Sequence, residues 1–587
     1  MAADHRTLSH KKIDGDNLST AATATEDTPL LRSEAVSSAT PTPRAASPEA
    51  PREDDEGSCE KTIGWRRAVC IIISMWALIF LQSSNMSGMT MTQSIIAADL
   101  NAYENAMWFT SSYLITAASV APVVGRLAMI FSPSSLILMS AFFFALGAIV
   151  ASQAHSFAVF ILGRVLVGVG GGGVMTLAMI FVLQLTSKRR RGVFVGLTNA
   201  GFTIGLSTGA VVYGALLPTI GWRALFWLQS PVGLLAGLGV YLSIPDFVIR
   251  GSPNGKSTIQ KLASIDYGGA ITLTLTIVLF LYGLSDSIRG IPISASLATL
   301  VLFVVTEYYV ASDPIIPLAV LRSRGVLLSC VSQLGFMAAR WTLLYYAPVF
   351  VLAVRGLSPA LAGSVLIPTN AGFGSGGLIV GWLHVRRSGS FWLPCLVSLL
   401  FFSATLFSLS FLSNATAPAW LYVCAVFLNG FGTGAALNYT LAHLLHLSPS
   451  NAHFITTSLL ATFRGFAGSF GTAIGGGVFS RTLRSALTSG FNDFDGTDDL
   501  SQARKELVTR LLGSPALVFG GDLTDSERAI AVCGYEQALK ILYRSAAALC
   551  IFVLVVQAGT GWSEPATEGD EEDIEEAIAE HSGAMEA

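Results

Sequence analysis

Three arginines lie inside long apolar runs of this 587-residue chain: Arg164, Arg340 and Arg464. A guanidinium stays charged at every physiological pH, and its planar fork of donors matches a carboxylate or phosphate. Within an apolar span such a charge costs several kcal/mol unless it meets a partner. Each is therefore a candidate anchor for an anionic group on a passing solute. The competing reading is an Arg neutralised by helix-end carbonyls or polar neighbours. Asn85, Asn370 and Asn429 lie in similar runs and could orient the same solute, as could Gln93 and Asn438, with Trp108, Tyr113, Trp341, Tyr345 and Tyr346 as aromatic walls. Interhelical hydrogen bonds are the plainer alternative for the amides. The first six apolar runs contain no Asp or Glu. Cations without carboxylates suit an anionic, zwitterionic or neutral solute better than a free cation. Gly168, Gly170 and Gly173 match the dinucleotide spacing, but no strand precedes them, so close helix contact is the better reading. No nucleophile triad or metal-ligand spacing is present, and neither enzyme activity nor a cofactor or metal is expected.

The elements that position these residues are membrane spans. Only 12% of residues are charged, 52% are hydrophobic, and the mean hydropathy is +0.60. A soluble chain this long could not cover its surface with so few charges. The net charge of −3 excludes a basic nucleic-acid binder. Cys70, Cys330, Cys395, Cys424 and Cys550 sit in apolar runs as small hydrophobes, not as a disulfide framework. A bilayer core needs about 20 apolar residues per helix. Candidate spans fall at 68–90, 106–124, 134–153, 157–184, 193–217, 224–244, 267–285, 293–311, 326–352, 360–384, 390–412, 418–440, 454–480 and 540–561. The expected fold class is thus an all-α polytopic membrane protein with fourteen transmembrane helices.

Lys and Arg concentrate in alternate loops: Arg126, Lys188 to Arg191, Arg250, Lys256, Lys261, Arg322, Arg324, Arg386 and Arg387. Basic loops stay cytosolic, so both tails are expected in the cytosol and the polar segment 485–535 in the lumen. Asp266 and Glu307 sit near cytosolic ends of the seventh and eighth spans, where solvation is expected, and His443, His446 and His453 read as wetted loop residues. Residues 1–62 are polar and lack apolar periodicity, so a disordered tail is expected, with no cleaved signal peptide. The tail 563–587 is acidic. Glu26 followed by Leu30 and Leu31 resembles the acidic dileucine signal read by sorting adaptors. Asn414-Ala415-Thr416 is a sequon on the non-cytosolic face, so Asn414 is a candidate glycan acceptor.

Internal repetition gives the architecture. Gly125-Arg126-Leu127 follows the second span, and Gly381-Trp382-Leu383 with Arg386-Arg387 follows the tenth. Two six-helix bundles, 65–244 and 326–562, then flank a linker with an inserted helix pair at 245–325. Paired six-helix halves around a midplane site are the major facilitator arrangement. Trp108 to Leu114, Gly163 to Gly173 with its embedded Arg164, Gly221-Trp222-Arg223 before Ser230-Pro231-Val232-Gly233, and Arg464-Gly465 with Gly468, Gly471 and Gly475 carry the closer likeness. Together they resemble the 14-span drug:proton antiporter group of the major facilitator superfamily. The long last loop and dileucine tail look most like fungal vacuolar amino-acid and multidrug transporters.

The resemblance implies a secondary transporter using alternating access, with a small-molecule substrate and protons as partners. It favours the vacuolar membrane and amino acids. A plasma-membrane efflux pump for drugs or secondary metabolites is the alternative, and a transport-dead receptor or scaffold is a further one. The departures are specific. The register set by Ile96 to Leu100 places Asn85 where the group carries Asp, Met129 interrupts the loop motif after the second span, and Leu206 follows Gly205 where the group has Pro.

Overall fold

The structure, a computed structural model, describes residues 64–185, 191–244, 265–284, 288–310, 320, 322–383, 391–448, 453–521 and 523–561. Glu26, Leu30, Leu31, the acidic tail and most of the basic loops lie outside the described residues. The long helices are α1 (Trp65–Asp99), α2 (Trp108–Ile130), α3 (Pro133–Ser152) and α4 (Phe157–Leu185). Next comes a continuous stretch, Arg191–Ser243, whose backbone turns at Gly221 (φ 75°, ψ 166°). Those angles suit glycine alone, and they divide the stretch into α5 (191–220) and α6 (222–243). The inserted pair is α7 (Tyr267–Leu284) and α8 (Gly290–Val305). The second half has α9 (Arg324–Ala353), a short helix Pro359–Ser364 leading into α10 (Leu366–Leu383), α11 (Trp392–Leu412), α12 (Ala419–Leu447), α13 (His453–Asp495) and α14 (Asp525–Ala558).

Eleven of the described helices are long and apolar enough to cross a membrane, and Arg191–Ser243 enters that tally as one. With its two arms counted separately, and with α10 and α13 packed lengthwise on α12 and α9, the described helices are compatible with fourteen spans.

Each half is held by glycine seams, as expected where lipid removes the hydrophobic drive between helices and close van der Waals contact must replace it. A Cβ on Gly168 or Gly172 of α4 would lie 2.8 and 2.4 Å from the carbonyls of Tyr113 and Ala117 on α2. A Cβ on Gly205 or Gly209 would strike Ser83 and Ser84 of α1. In the second half, Gly372 and Gly376 of α10 interlock with Gly430 and Gly434 of α12, each facing a backbone carbonyl of the other helix. The packing of α1 on α5, α2 on α4 and α3 on α6 recurs as α9 on α13, α10 on α12 and α11 on α14. The same order of helix packing thus occurs in both stretches.

Segment 485–535, expected as a loop, is largely helical. α13 continues to Asp495, a cap helix spans Gln502–Gly513, and α14 begins at Asp525. Its polarity does not prevent folding, because Val508, Leu511, Leu487, Phe491 and Tyr535 form a small buried core. Arg504 ties it together by bonding Asp495 at 3.0 Å, pairing with Glu527, and lying over the rings of Phe491 and Phe494. Hydrogen bonds to Asp495 and Glu527 push its pKa above the ordinary arginine value. The cap seats Gly513 on the backbone of Tyr103, in the α1–α2 connection of the other half. We call this end of the bundle the cap face.

Two further expectations are corrected. Glu307 is buried, beside Asp266 around Gly269, because its turn folds back on the start of α7. His443 is also buried, since α12 carries it inward and Nε2 bonds Thr560 Oγ1 at 2.9 Å.

Candidate functional site

Within the first half, the structure brings together three of the expected residues, Arg164, Asn85 and Tyr113. The α2–α4 glycine seam holds the helices close enough for Arg164 Nε to donate to the Phe109 carbonyl at 2.7 Å. Nη1 donates to Asn85 Oδ1 at 2.5 Å, and Asn85 Nδ2 donates to Gln229 Oε1 on α6 at 2.7 Å. The guanidinium carbon lies 4.9 Å from the Tyr113 ring centre. Arg164 and Asn85 are wholly inaccessible, and Gln229 nearly so. An Asp at position 85 would form an ion pair here. Asn85 instead relays a neutral amide chain from α4 to α6.

The polar accounting does not close. Arg164 Nη2, the Tyr113 and Tyr213 hydroxyls and Gln82 Oε1 are buried with no hydrogen-bond partner. Gln82 neighbours Tyr113, and both phenols lie within electrostatic reach of the guanidinium. Gln82, Tyr213 and Gln229 were missed from sequence. Gln229 could have been found, as an amide inside the sixth span directly before Ser230-Pro231.

Arg340 of the second half is differently placed. It donates to Thr369 Oγ1, to the Thr369 carbonyl at 3.2 Å and to Asn370 Oδ1 at 3.2 Å. Asn370 Nδ2 then donates across the halves to Ser207 Oγ of α5 at 2.9 Å. Arg340 and Asn370 thus come together, with Thr369 and Ser207 as unforeseen partners. The guanidinium is filled by protein groups.

The remaining expected residues scatter. Asn429 donates to Thr405 Oγ1 at 2.9 Å inside the second half. Arg464 is half-buried on α13. Trp341 packs on Gly468 and Gly471 of the same helix. Tyr345 is buried and its hydroxyl approaches Thr110 of α2 without closing a hydrogen bond. Trp108 turns to Tyr282 of the inserted pair, 6.2 Å between ring centres. Asn414 forms a tight turn: Oδ1 accepts from Ala417 N at 2.6 Å and Nδ2 donates to the Phe411 carbonyl at 2.8 Å. Two sequence motifs, Ile96 to Leu100 and Gly221 to Arg223, meet where Arg223 pairs with Asp99 at 2.5 Å.

The halves meet along two pseudo-equivalent seams, α2 on α13 and α5 on α10. On the first, Ser111 and Thr472 hydroxyls are 3.2 Å apart. Thr472 already donates to the Gly468 carbonyl, so Ser111 is the donor. On the second, Gly214 abuts Pro359 and Gly363 abuts Ala210 toward the cap face, with Ser207 and Asn370 deeper in. Arg484 and Glu104 add a long 4.0 Å ion pair between the halves at the cap face.

The family model of the Major Facilitator Superfamily matches residues 73–472. The vacuolar membrane amino acid uptake transporter fnx2 of Schizosaccharomyces pombe is 28% identical over 432 residues, 71% of this chain and 72% of that protein. The MFS-type efflux pump LUC4 of Fusarium is 27% identical over 430 residues, 71% of this chain and 75% of that one. Among solved structures, a bacterial homologue of the human lysosomal transporter Spinster, inward-facing and unoccupied, superposes with a TM-score of 0.59 at 16% identity. It covers 85% of this chain and 99% of its own.

Proposed function

This chain belongs to the major facilitator superfamily, and from that premise we propose that it moves small organic solutes, amino acids foremost, across the vacuolar membrane by alternating access. One observation carries the reading. Between two buried polar clusters, the side-chain hydrogen bonds that join the halves at mid-depth among the described residues, Ser111 to Thr472 and Asn370 to Ser207, are neutral and sit within apolar packing. Neutral bonds of this kind contribute about 1 kcal/mol each, so the halves can part there and reseal within a transport cycle. The cap face is then luminal, which the basic loops on the opposite face support. Luminal protons are the driving force and the substrate binds between the bundles. Arg164, Arg340, Asn85, Asn370, Asn429 and Arg464 line or support its path, with Trp108, Tyr113, Trp341 and Tyr345 as its aromatic neighbours. The chain is a carrier, not an enzyme. Glu26, Leu30 and Leu31 recruit the sorting adaptor that sends it to the vacuole, and Asn414 is the glycan site.

Likeness to an efflux pump over 71% of the chain supports a second reading, export at the plasma membrane. A fluorescent tag on the full chain separates the two by location. Uptake of labelled amino acids into isolated vacuolar vesicles, with and without a pH gradient, tests the first. Absence of uptake for every amino acid would overturn it.

A further inference from the structure

The unclosed accounting around Arg164 has a direct chemical meaning. We propose that Arg164, Tyr113, Tyr213 and Gln82 form a binding site for the carboxylate of a small organic solute, inside the first half. The inference deepens the transport reading above and rests on it.

The charge arithmetic comes first. Arg164 is wholly buried, and its two protein partners, Asn85 and the Phe109 carbonyl, are both neutral. Between residues 64 and 244 the only carboxylates are Asp99 and Glu104. Asp99 is paired with Arg223 and Glu104 faces Arg484, both at the cap face. No carboxylate of the described first half is left for the guanidinium. A buried charge without its counter-ion is far costlier than a paired one; Arg340 lacks a counter-ion too, but its terminal nitrogens are met by Thr369 and Asn370, whereas Arg164 keeps an unmet Nη2 that a bound anion would satisfy.

The donor geometry selects a carboxylate. Arg164 Nη2 is a charged donor with no hydrogen-bond acceptor, and the Tyr113 and Tyr213 hydroxyls, within electrostatic reach of the guanidinium, approach Gln82 and Gln229 without closing a hydrogen bond. All three are buried. A carboxylate offers two oxygens with about four acceptor sites, enough for the guanidinium nitrogen and both phenols together. The one unpartnered acceptor, Gln82 Oε1, adjoins Tyr113 and suits a donor on the same solute, such as an ammonium or hydroxyl. Arg340 cannot play this part, because its fork is already taken by Thr369 and Asn370. Arg164 lies seven residues into α4, about 10 Å from that helix's cap-face end at ~1.5 Å per residue.

The experiment uses the purified full-length chain in lipid nanodiscs and reads thermal unfolding. The probes are benzoate, its neutral isostere benzamide, and chloride. Benzoate should raise the midpoint saturably, while benzamide and chloride at equal concentration should not. Asn85→Asp places a carboxylate on the guanidinium from within and should abolish the benzoate response. Arg164→Lys should weaken it at least tenfold, as an ammonium lacks the fork. Equal responses to benzoate and benzamide, an equal response to chloride, or an intact benzoate response in Asn85→Asp would each overturn the proposal. If Arg164→Lys does not fold, the Asn85→Asp arm still decides. Because no gradient or vesicle is involved, a benzoate response without amino-acid uptake would sink the transport reading alone. Uptake without a benzoate response would sink the carboxylate site alone.

Discussion

Ser207→Ala should shift the protein toward the state in which the cap face opens. Ser207 Oγ donates to the Thr203 carbonyl of its own helix at 2.8 Å, so toward Asn370 it acts purely as an acceptor. Removing it leaves Asn370 Nδ2 buried at the seam without a partner, in the cap-closed arrangement only. An orphaned buried donor costs about 1–3 kcal/mol. When the seam opens, water satisfies the same amide and the cost vanishes. The difference corresponds to a population shift of roughly 5–150-fold. Ser111→Ala is the built-in comparison. Thr472 keeps its bond to the Gly468 carbonyl and loses only an accepted one, so no donor is stranded. Its shift should stay within about 5-fold, the equivalent of ~1 kcal/mol. Spin labels at Ile220→Cys and Leu357→Cys flank the α5 seam, and both positions are exposed, at 41% and 47%. With Cys59, Cys70, Cys424 and Cys533 replaced by Ser, pulsed dipolar spectroscopy in nanodiscs reads their separation. A longer-distance population should appear in Ser207→Ala and be small in Ser111→Ala. An unchanged distribution in folded Ser207→Ala, or an equal response from Ser111→Ala, would refute the reasoning.

Gly430→Ala places a Cβ 1.9 Å from the Thr369 carbonyl, a backbone atom that cannot swing aside. It should cost at least about 1–3 kcal/mol, whereas Gly374→Ala on the facing helix meets nothing within 4 Å and should be neutral; thermal midpoints compare the two. Arg504→Met keeps the stem over Phe491 and Phe494 but releases Asp495 and Glu527. Amide exchange across 496–524 should quicken while exchange in α1 to α12 stays unchanged, and uniform quickening would show that the cap is not a separate cooperative unit. Arg340→Lys retains the charge yet loses the fork that holds Thr369 and Asn370. Vesicle uptake should fall about tenfold or more with abundance near wild type, and undiminished uptake would remove Arg340 from the working parts.

Most of the fold is legible in the sequence because lipid imposes one strict rule, an apolar run of fixed length for every span. The predicted run at 224–244 is the observed arm 222–243, and the predicted run at 267–285 is Tyr267–Leu284. The glycine spacings at Gly168 and Gly205 announce close approach before any neighbour is known. The cap was not legible for the opposite reason. Segment 485–535 is polar enough to pass for a loop, and its few apolar residues become a core only once α13 and α14 bring them together. Polar pairing inside the bundle was half legible. Single residues such as Arg164, Asn85 and Arg340 stand out against apolar surroundings. Their partners, Thr369, Ser207 and the Phe109 carbonyl, belong to residue types too ordinary to notice.

The two embedded arginines look alike in sequence and differ in what surrounds them, and that difference gives the halves unequal tasks. Arg340 has two carbonyl-type acceptors and a hydroxyl within its own bundle, and Asn370 carries its hold onward to Ser207 in the other. A charge satisfied in this way works as a strut, fixing where α10 meets α5. Arg164 also has only neutral partners, but it keeps one idle nitrogen, and position 85, where the sequence resemblance expects Asp, holds an amide. On this reading Asn85 is the decisive residue. An Asp there would hold Arg164 as a permanent ion pair, releasing it only on protonation, which is one way to couple solute exchange to a proton. Asn85 cannot titrate, so the guanidinium is released or held according to whether a solute anion is present. Coupling at this site then passes through the solute's own charge. A proton-driven cycle, if vesicle uptake shows one, must take its proton at a group outside this cluster.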